Sequence, residues 1–100
     1  MKYSVLNEWN YKGEKPQERC QIERATKDMV EYDGFNLCGK EDGVAFDIYD
    51  DLEAAIVNAQ FNPAKIEYID FTEEENKEVN NILKKYEWSD YFGLVKRGEK

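Results

Sequence analysis

The sequence predicts a small single α+β domain, an antiparallel sheet of about four strands carrying two to three helices in the order β-α-β-β-α-β-α. Three observations predict it. One hundred residues supply one hydrophobic core and no more. The stretch from Val44 to Gln60 passes from a period of two to a helical period within a single turn. Thr72 to Tyr86 carries a capping signal followed by an unbroken helical stripe.

In chain order, Tyr3, Val5, Trp9 and Tyr11 share one face of an opening strand, and Lys2, Ser4, Glu8 and Asn10 take the other, with Leu6 out of pattern. Gly13 centres a polar connection, and Pro16 sits where a first helical residue is favoured. Two readings of residues 16–32 compete. As a helix the segment aligns Ile22, Ala25, Met29 and Tyr32, is rich in Glu, Arg, Gln and Ala, and meets a natural stop at Gly34. As strands it uses Cys20 and Ile22 at period two and Asp33-Gly34 as a hairpin turn into Phe35–Cys38. The helix is preferred.

Phe35–Cys38 reads as a short strand, and Gly39 to Gly43 as the turn returning the chain to Val44. Val44, Phe46 and Ile48 alternate with Ala45, Asp47 and Tyr49. Leu52, Ala55, Ile56 and Ala59 then form a helical stripe that Asp50 is placed to cap. Lys65–Phe71 is apolar on both faces, as an interior strand would be. Thr72 with Glu75 opens a helix whose stripe is Val79, Ile82, Leu83 and Tyr86. Trp88, Tyr91 and Phe92 follow as a small apolar set, and residues 96–100 as a frayed tail to the single 1–100 domain. This order fits a split β-α-β arrangement of the ferredoxin-like kind with an added C-terminal helix.

Function is constrained first by what is absent. The chain contains no histidine, which removes the commonest neutral-pH general base, the commonest zinc ligand and every Ser-His or Cys-His pair. Cys20 and Cys38 lie too far apart in sequence for a metal knuckle or a redox pair, and no Gly-rich phosphate loop is present. They read as free thiols. Asp47, Asp50, Asp51 and Glu53 are the one cluster a carboxylate enzyme or a divalent metal could use, but acidic residues at a helix start answer its unpaired N–H groups without any ligand. No enzyme, cofactor or metal site is therefore expected. With no apolar h-region in residues 1–12 and no apolar run of membrane-spanning length, a cytoplasmic protein without membrane contact is expected.

Charge is the strongest functional signal. The net charge is −8, and residues 41–78 hold twelve carboxylates against Lys65 and Lys77, so this segment alone carries −10. Direct nucleic-acid binding is disfavoured, because phosphates reward clustered Lys and Arg. A basic protein partner, of the nucleic-acid-binding kind, is favoured instead, since such a field steers association. The candidate partner-binding residues are Asp47, Asp50, Asp51, Glu53, Glu67, Asp70, Glu74 and Glu78, with Trp88, Tyr91 and Phe92 as aromatic anchors. A mimic of nucleic-acid phosphates would need the Asp50–Glu53 turn, Glu67, Asp70 and the last helix to converge on one face.

In size and charge the chain is similar to phage and mobile-element inhibitors of host defence nucleases, anti-CRISPR proteins among them. That likeness implies a small inhibitor acting by steric and electrostatic occlusion. An immunity protein or antitoxin that neutralises a basic toxin fits the same charge. A different class, a small ligand- or peptide-binding accessory domain, would use the aromatic face of Tyr3, Trp9 and Tyr11.

Overall fold

In the computed structural model, which describes residues 1–98, the alternation at the start of the chain becomes β1 (Tyr3–Asn10), the centre of the main sheet. β2 (Gln17–Arg24) pairs antiparallel along its whole length, Tyr3 opposite Arg24 and Asn10 opposite Gln17. On its other side β4 (Asp42–Tyr49) pairs antiparallel in equally full register. β3 (Phe35–Cys38) adds to β4, and the two-residue β5 (Glu67–Tyr68) lies parallel to β2, giving the order β3-β4-β1-β2-β5. The α+β class is thus realised with five strands in the main sheet and a separate hairpin of β6 (Tyr86–Ser89) and β7 (Gly93–Lys96). No helix among the described residues is long and apolar enough to cross a membrane.

The preferred helix over 16–32 is not formed. Gln17–Arg24 is strand, and only α1 (Lys27–Val30), one turn capped by Thr26, is helical. The straight-chain residues that suggested a helix also tolerate a strand, and burial of Cys20 and Ile22, both fully enclosed, decides between them. Pro16 precedes β2 instead of opening a helix. β1 and β2 are therefore a hairpin, with Gly13 at φ +88° in the loop.

A split β-α-β unit does exist, further along the chain. β4 and β5 both run parallel to β2, and α2 (Leu52–Asn58) joins them across the two intervening strands β1 and β2. The ferredoxin-like arrangement has one intervening strand, so the fold departs from that expectation. Lys65–Phe71 is also not an interior strand. Pro63–Lys65 forms a 3-10 turn that buries Ile66, and Asp70, at φ +53°, turns the chain out after β5.

Residues directly opposed across antiparallel strands share a face, so the register sorts the sheet into two sides. One side presents Tyr3 and Val5 of β1, Cys20 and Ile22 of β2 and Tyr49 of β4. Against it pack Leu52, Ala55 and Ile56 of α2, Ala59 just beyond it, Ile66, and Val79 and Ile82 of α3 (Glu73–Leu83). Every member of the anticipated α2 stripe is core. Its cap is Asp51 rather than Asp50: the Asp51 carboxylate accepts the Ala54 N–H at 2.7 Å. The Thr72–Glu75 capping box is formed as expected. The opposite side presents Leu6 of β1, Val44, Phe46 and Ile48 of β4 and Phe35 and Leu37 of β3. Phe35 and Leu37 are exposed and the other four half-buried, and no α2 or α3 residue reaches them through the sheet.

Candidate functional site

After α3, where the sequence shows a small apolar set, the chain forms a two-stranded hairpin, and the turn chemistry explains why. Ser89, opposite Gly93, turns its Oγ inward to accept the N–H groups of Tyr91 at 3.2 Å and Phe92 at 3.1 Å. Trp88 donates its indole N–H to Asp90 at 2.9 Å, and Gly93 takes φ +78°, a conformation that side chains disfavour. With the backbone so fixed, Tyr91 and Phe92 project from the tip 87% and 76% exposed, their rings edge to face with centroids 4.7 Å apart.

The other end of the hairpin is tied to the domain. Leu94 and Tyr86 pack on the core, the Tyr86 hydroxyl donates to Glu53 at 2.8 Å, Lys85 pairs with the same carboxylate, and the Arg97 N–H donates to the Lys85 carbonyl at 2.8 Å. Hydrogen bonds from Lys85 and Tyr86 hold the Glu53 carboxyl below the usual range. Lys96 belongs to β7, so the expected frayed tail does not begin there. Glu99 and Lys100 lie outside the described residues.

The structure distributes the anticipated acidic residues over separate surfaces. Asp47 sits half-buried on the helix-covered side of β4. Asp50, at the exposed end of that strand, lies 3.8 Å from Lys2, and Asp51 is engaged as the α2 cap. Glu53 is committed to Lys85 and Tyr86. Glu67 is held by Arg19 at 3.1 and 3.3 Å and by Gln21 at 3.1 Å. Those hydrogen bonds, Arg19's first, lower its carboxyl. Gln21 lies opposite Leu6, so Glu67 faces the side of the sheet away from α2 and α3. Asp70 occupies the turn before α3. Glu74 and Glu78, one helical turn apart on α3, are exposed and make no ion pair among the described residues. The convergence a phosphate mimic needs is therefore not met.

Trp88 is half-buried. Tyr91 and Phe92 are brought together, Glu74 and Glu78 stand one turn apart on α3, and Glu53 and Glu67 are held on opposite sides of the sheet. Asp90 and Ser89, which organise the tip, were missed, and their signal was a Ser-Asp pair followed by Gly93. Among the described residues no group of three or more His, Cys, Asp or Glu is disposed to hold a metal ion. The aromatic face of β1 is divided: Tyr11, just beyond the strand, is exposed, and the other two rings are more enclosed. Tyr3 is buried with its hydroxyl on Glu75 at 2.7 Å, burial and that bond raising it to about 12, and the half-buried Trp9 lies over Gly43. An open cleft of about 760 Å³ lies over the Glu8, Arg19, Leu37 and Val44 row, where Arg19 is already paired with Glu67.

Comparison with protein-family models, with curated proteins and with solved structures finds no match to this chain.

Proposed function

We propose that this chain is a non-enzymatic protein-binding inhibitor that docks on a basic, nucleic-acid-binding protein and occludes its working surface. The observation that carries the reading is the Tyr91–Phe92 tip. A domain that encloses its other aromatic rings more fully leaves two adjacent ones exposed on a turn held by Ser89, Asp90 and Gly93. Exposed aromatic side chains on a fixed backbone lose little entropy on docking and dominate interface energies, typically by about 2 kcal/mol or more each.

The net charge of −8 supports the choice of partner. Charge acts here as a steering field, raising the encounter rate with a basic surface, while the aromatic tip anchors the complex. Glu74 and Glu78 contribute to this field as an exposed pair one turn apart on α3 that makes no ion pair among the described residues. The specific form of the proposal is an anti-defence inhibitor of the phage or mobile-element kind, anti-CRISPR-like in size and charge, acting in the cytoplasm. Occlusion does not require the acidic residues to reproduce a phosphate spacing.

Capture from source-cell lysate at low and high salt tests the proposal. The natural protein is expected to retain a nucleic-acid-binding protein, the Tyr91→Ala/Phe92→Ala variant to lose it, and salt to weaken retention. Equal capture by both proteins at both salt concentrations would overturn the reading.

A further inference from the structure

We infer that the β3 edge of the main sheet is a self-association surface, and that its occupant is a second copy of this chain, paired antiparallel about a two-fold axis at Asn36. β3 is an outer strand of the sheet, and all four of its residues, Phe35, Asn36, Leu37 and Cys38, are exposed. Edge strands usually carry a charge, a proline or a bulge against such pairing. In a chain where 36% of residues are charged, this edge has none of the first two, and its irregularity is confined to the start of the strand, where Gly34 at φ +84° donates to the Phe46 carbonyl. The Gly39 N–H bonds the Asp42 carbonyl at 2.8 Å, and the alternation of an antiparallel ladder then turns the N–H and C=O groups of Asn36 and Cys38 outward.

The strand is self-complementary. A two-fold at Asn36 sets Phe35 of one copy opposite Leu37 of the other, twice, on the same side of the sheet. These four side chains continue the row already formed by Phe46, Val44 and Leu6, their partners across β4 and β1. The apolar face left open by the helices thereby becomes one band running through both copies. Charge agrees with this orientation. Antiparallel pairing sets the end where Lys40 offsets Glu41 and Lys12 pairs with Asp42 against the Glu31–Asp33 end of the second copy, so the two Glu31–Asp33 ends stay apart. A four-residue strand buries less than a standard interface, so the dimer is a weak, concentration-dependent one.

Sedimentation equilibrium from about 1 to 500 μM reads this directly, because mass then rises from the 11.8 kDa of one chain toward twice that value. Asn36→Pro removes one outward donor, and Leu37→Glu sets charge into the apolar band at an exposed position. Each is expected to weaken the dimer by tenfold or more while circular dichroism and melting stay close to the natural protein. Tyr91→Ala/Phe92→Ala is expected to leave the dimer unchanged, which separates this surface from the proposed inhibitory tip. A natural protein that remains monomeric throughout overturns the inference. So does a dimer that survives both β3 substitutions, or one that is lost with the hairpin tip.

Discussion

Gly43 is the most exacting position in the sheet. An alanine Cβ there would stand 2.2 Å from Trp9 Cζ2, 2.5 Å from Trp9 Cε2 and 2.7 Å from the Leu37 carbonyl oxygen. Carbon atoms in contact sit about 3.5–4.0 Å apart, so the ring must retreat by more than 1 Å. Trp9 is half-buried and can swing away, but the carbonyl belongs to β3 and yields only if β3 moves off β4. Overpacking of this kind costs about 1–3 kcal/mol. At about 4–8 °C per kcal/mol for a domain of this size, Gly43→Ala is expected to lower the melting temperature by roughly 8–16 °C at the middle of that range. A second variant divides the cost: in a Trp9→Ala background the ring contacts vanish and the carbonyl contact stays, so the added penalty of Gly43→Ala shrinks without disappearing. Thermal melts of the four proteins provide the assay. A Gly43→Ala protein melting within 2 °C of the natural one would refute the close packing of Trp9, Gly43 and Leu37.

Three further perturbations probe the fold. Asp51→Ala is expected to cost about 1 kcal/mol in urea unfolding and Asp50→Ala close to nothing, since only Asp51 caps α2; the reverse ranking would move the cap. Burial opposes ionisation of Glu75, but bonds from Thr72 and Tyr3 and the charge of Arg24 outweigh it and hold the carboxyl below its ordinary 4.5. Its stabilisation is therefore complete above that value and lost as pH falls through the lower native one. The stability gap between the natural protein and Glu75→Gln should hold from neutral pH down to 4.5 and narrow as pH falls further, and a gap that widened there would contradict the assignment. Burial lifts the Cys20 thiol to about 12 with the side chain fully enclosed, whereas Cys38 is exposed. A thiol reagent at neutral pH should label one cysteine per native chain and two in denaturant; two in the native protein would mean that Cys20 is not enclosed.

The elements readable from the sequence were those whose apolar spacing and end signals coincide. α2 has Leu52, Ala55, Ile56 and Ala59 on one stripe behind an Asp, and α3 has Thr72, Glu75, Val79 and Ile82 in the right positions, so local and tertiary preferences agree. β2 was obscured because its segment is mostly Glu, Gln and Arg, residues at ease in a helix, and two buried side chains were too few to show the alternation. Pairing with eight residues of β1, a contact no local window contains, settles it. Lys65–Phe71 has the composition of a central strand, but the turn at Pro63 and the reversal at Asp70 leave only two residues in the ladder.

The candidate site was legible in part. Tyr91 and Phe92 could be singled out as anchors, yet their exposure depends on Ser89 and Asp90, whose hydrogen bonds make a hairpin of what read as a small apolar set. Carboxylate counting could not show that Glu53 and Glu67 are committed to Lys85 and Arg19 on opposite sides of the sheet. Net charge is a property of composition; a charged face is a property of register.

The most direct test of the proposed function resolves binding to the captured partner into its two rate constants. Anchoring falls to the hairpin tip and steering to the exposed carboxylates of α3, so Tyr91→Ala/Phe92→Ala should raise the dissociation rate by tenfold or more with little change in association. Glu74→Gln/Glu78→Gln should slow association at low salt and converge with the natural protein at high salt. Rate constants unaltered by the tip substitutions, in a variant that melts like the natural protein, would contradict the account.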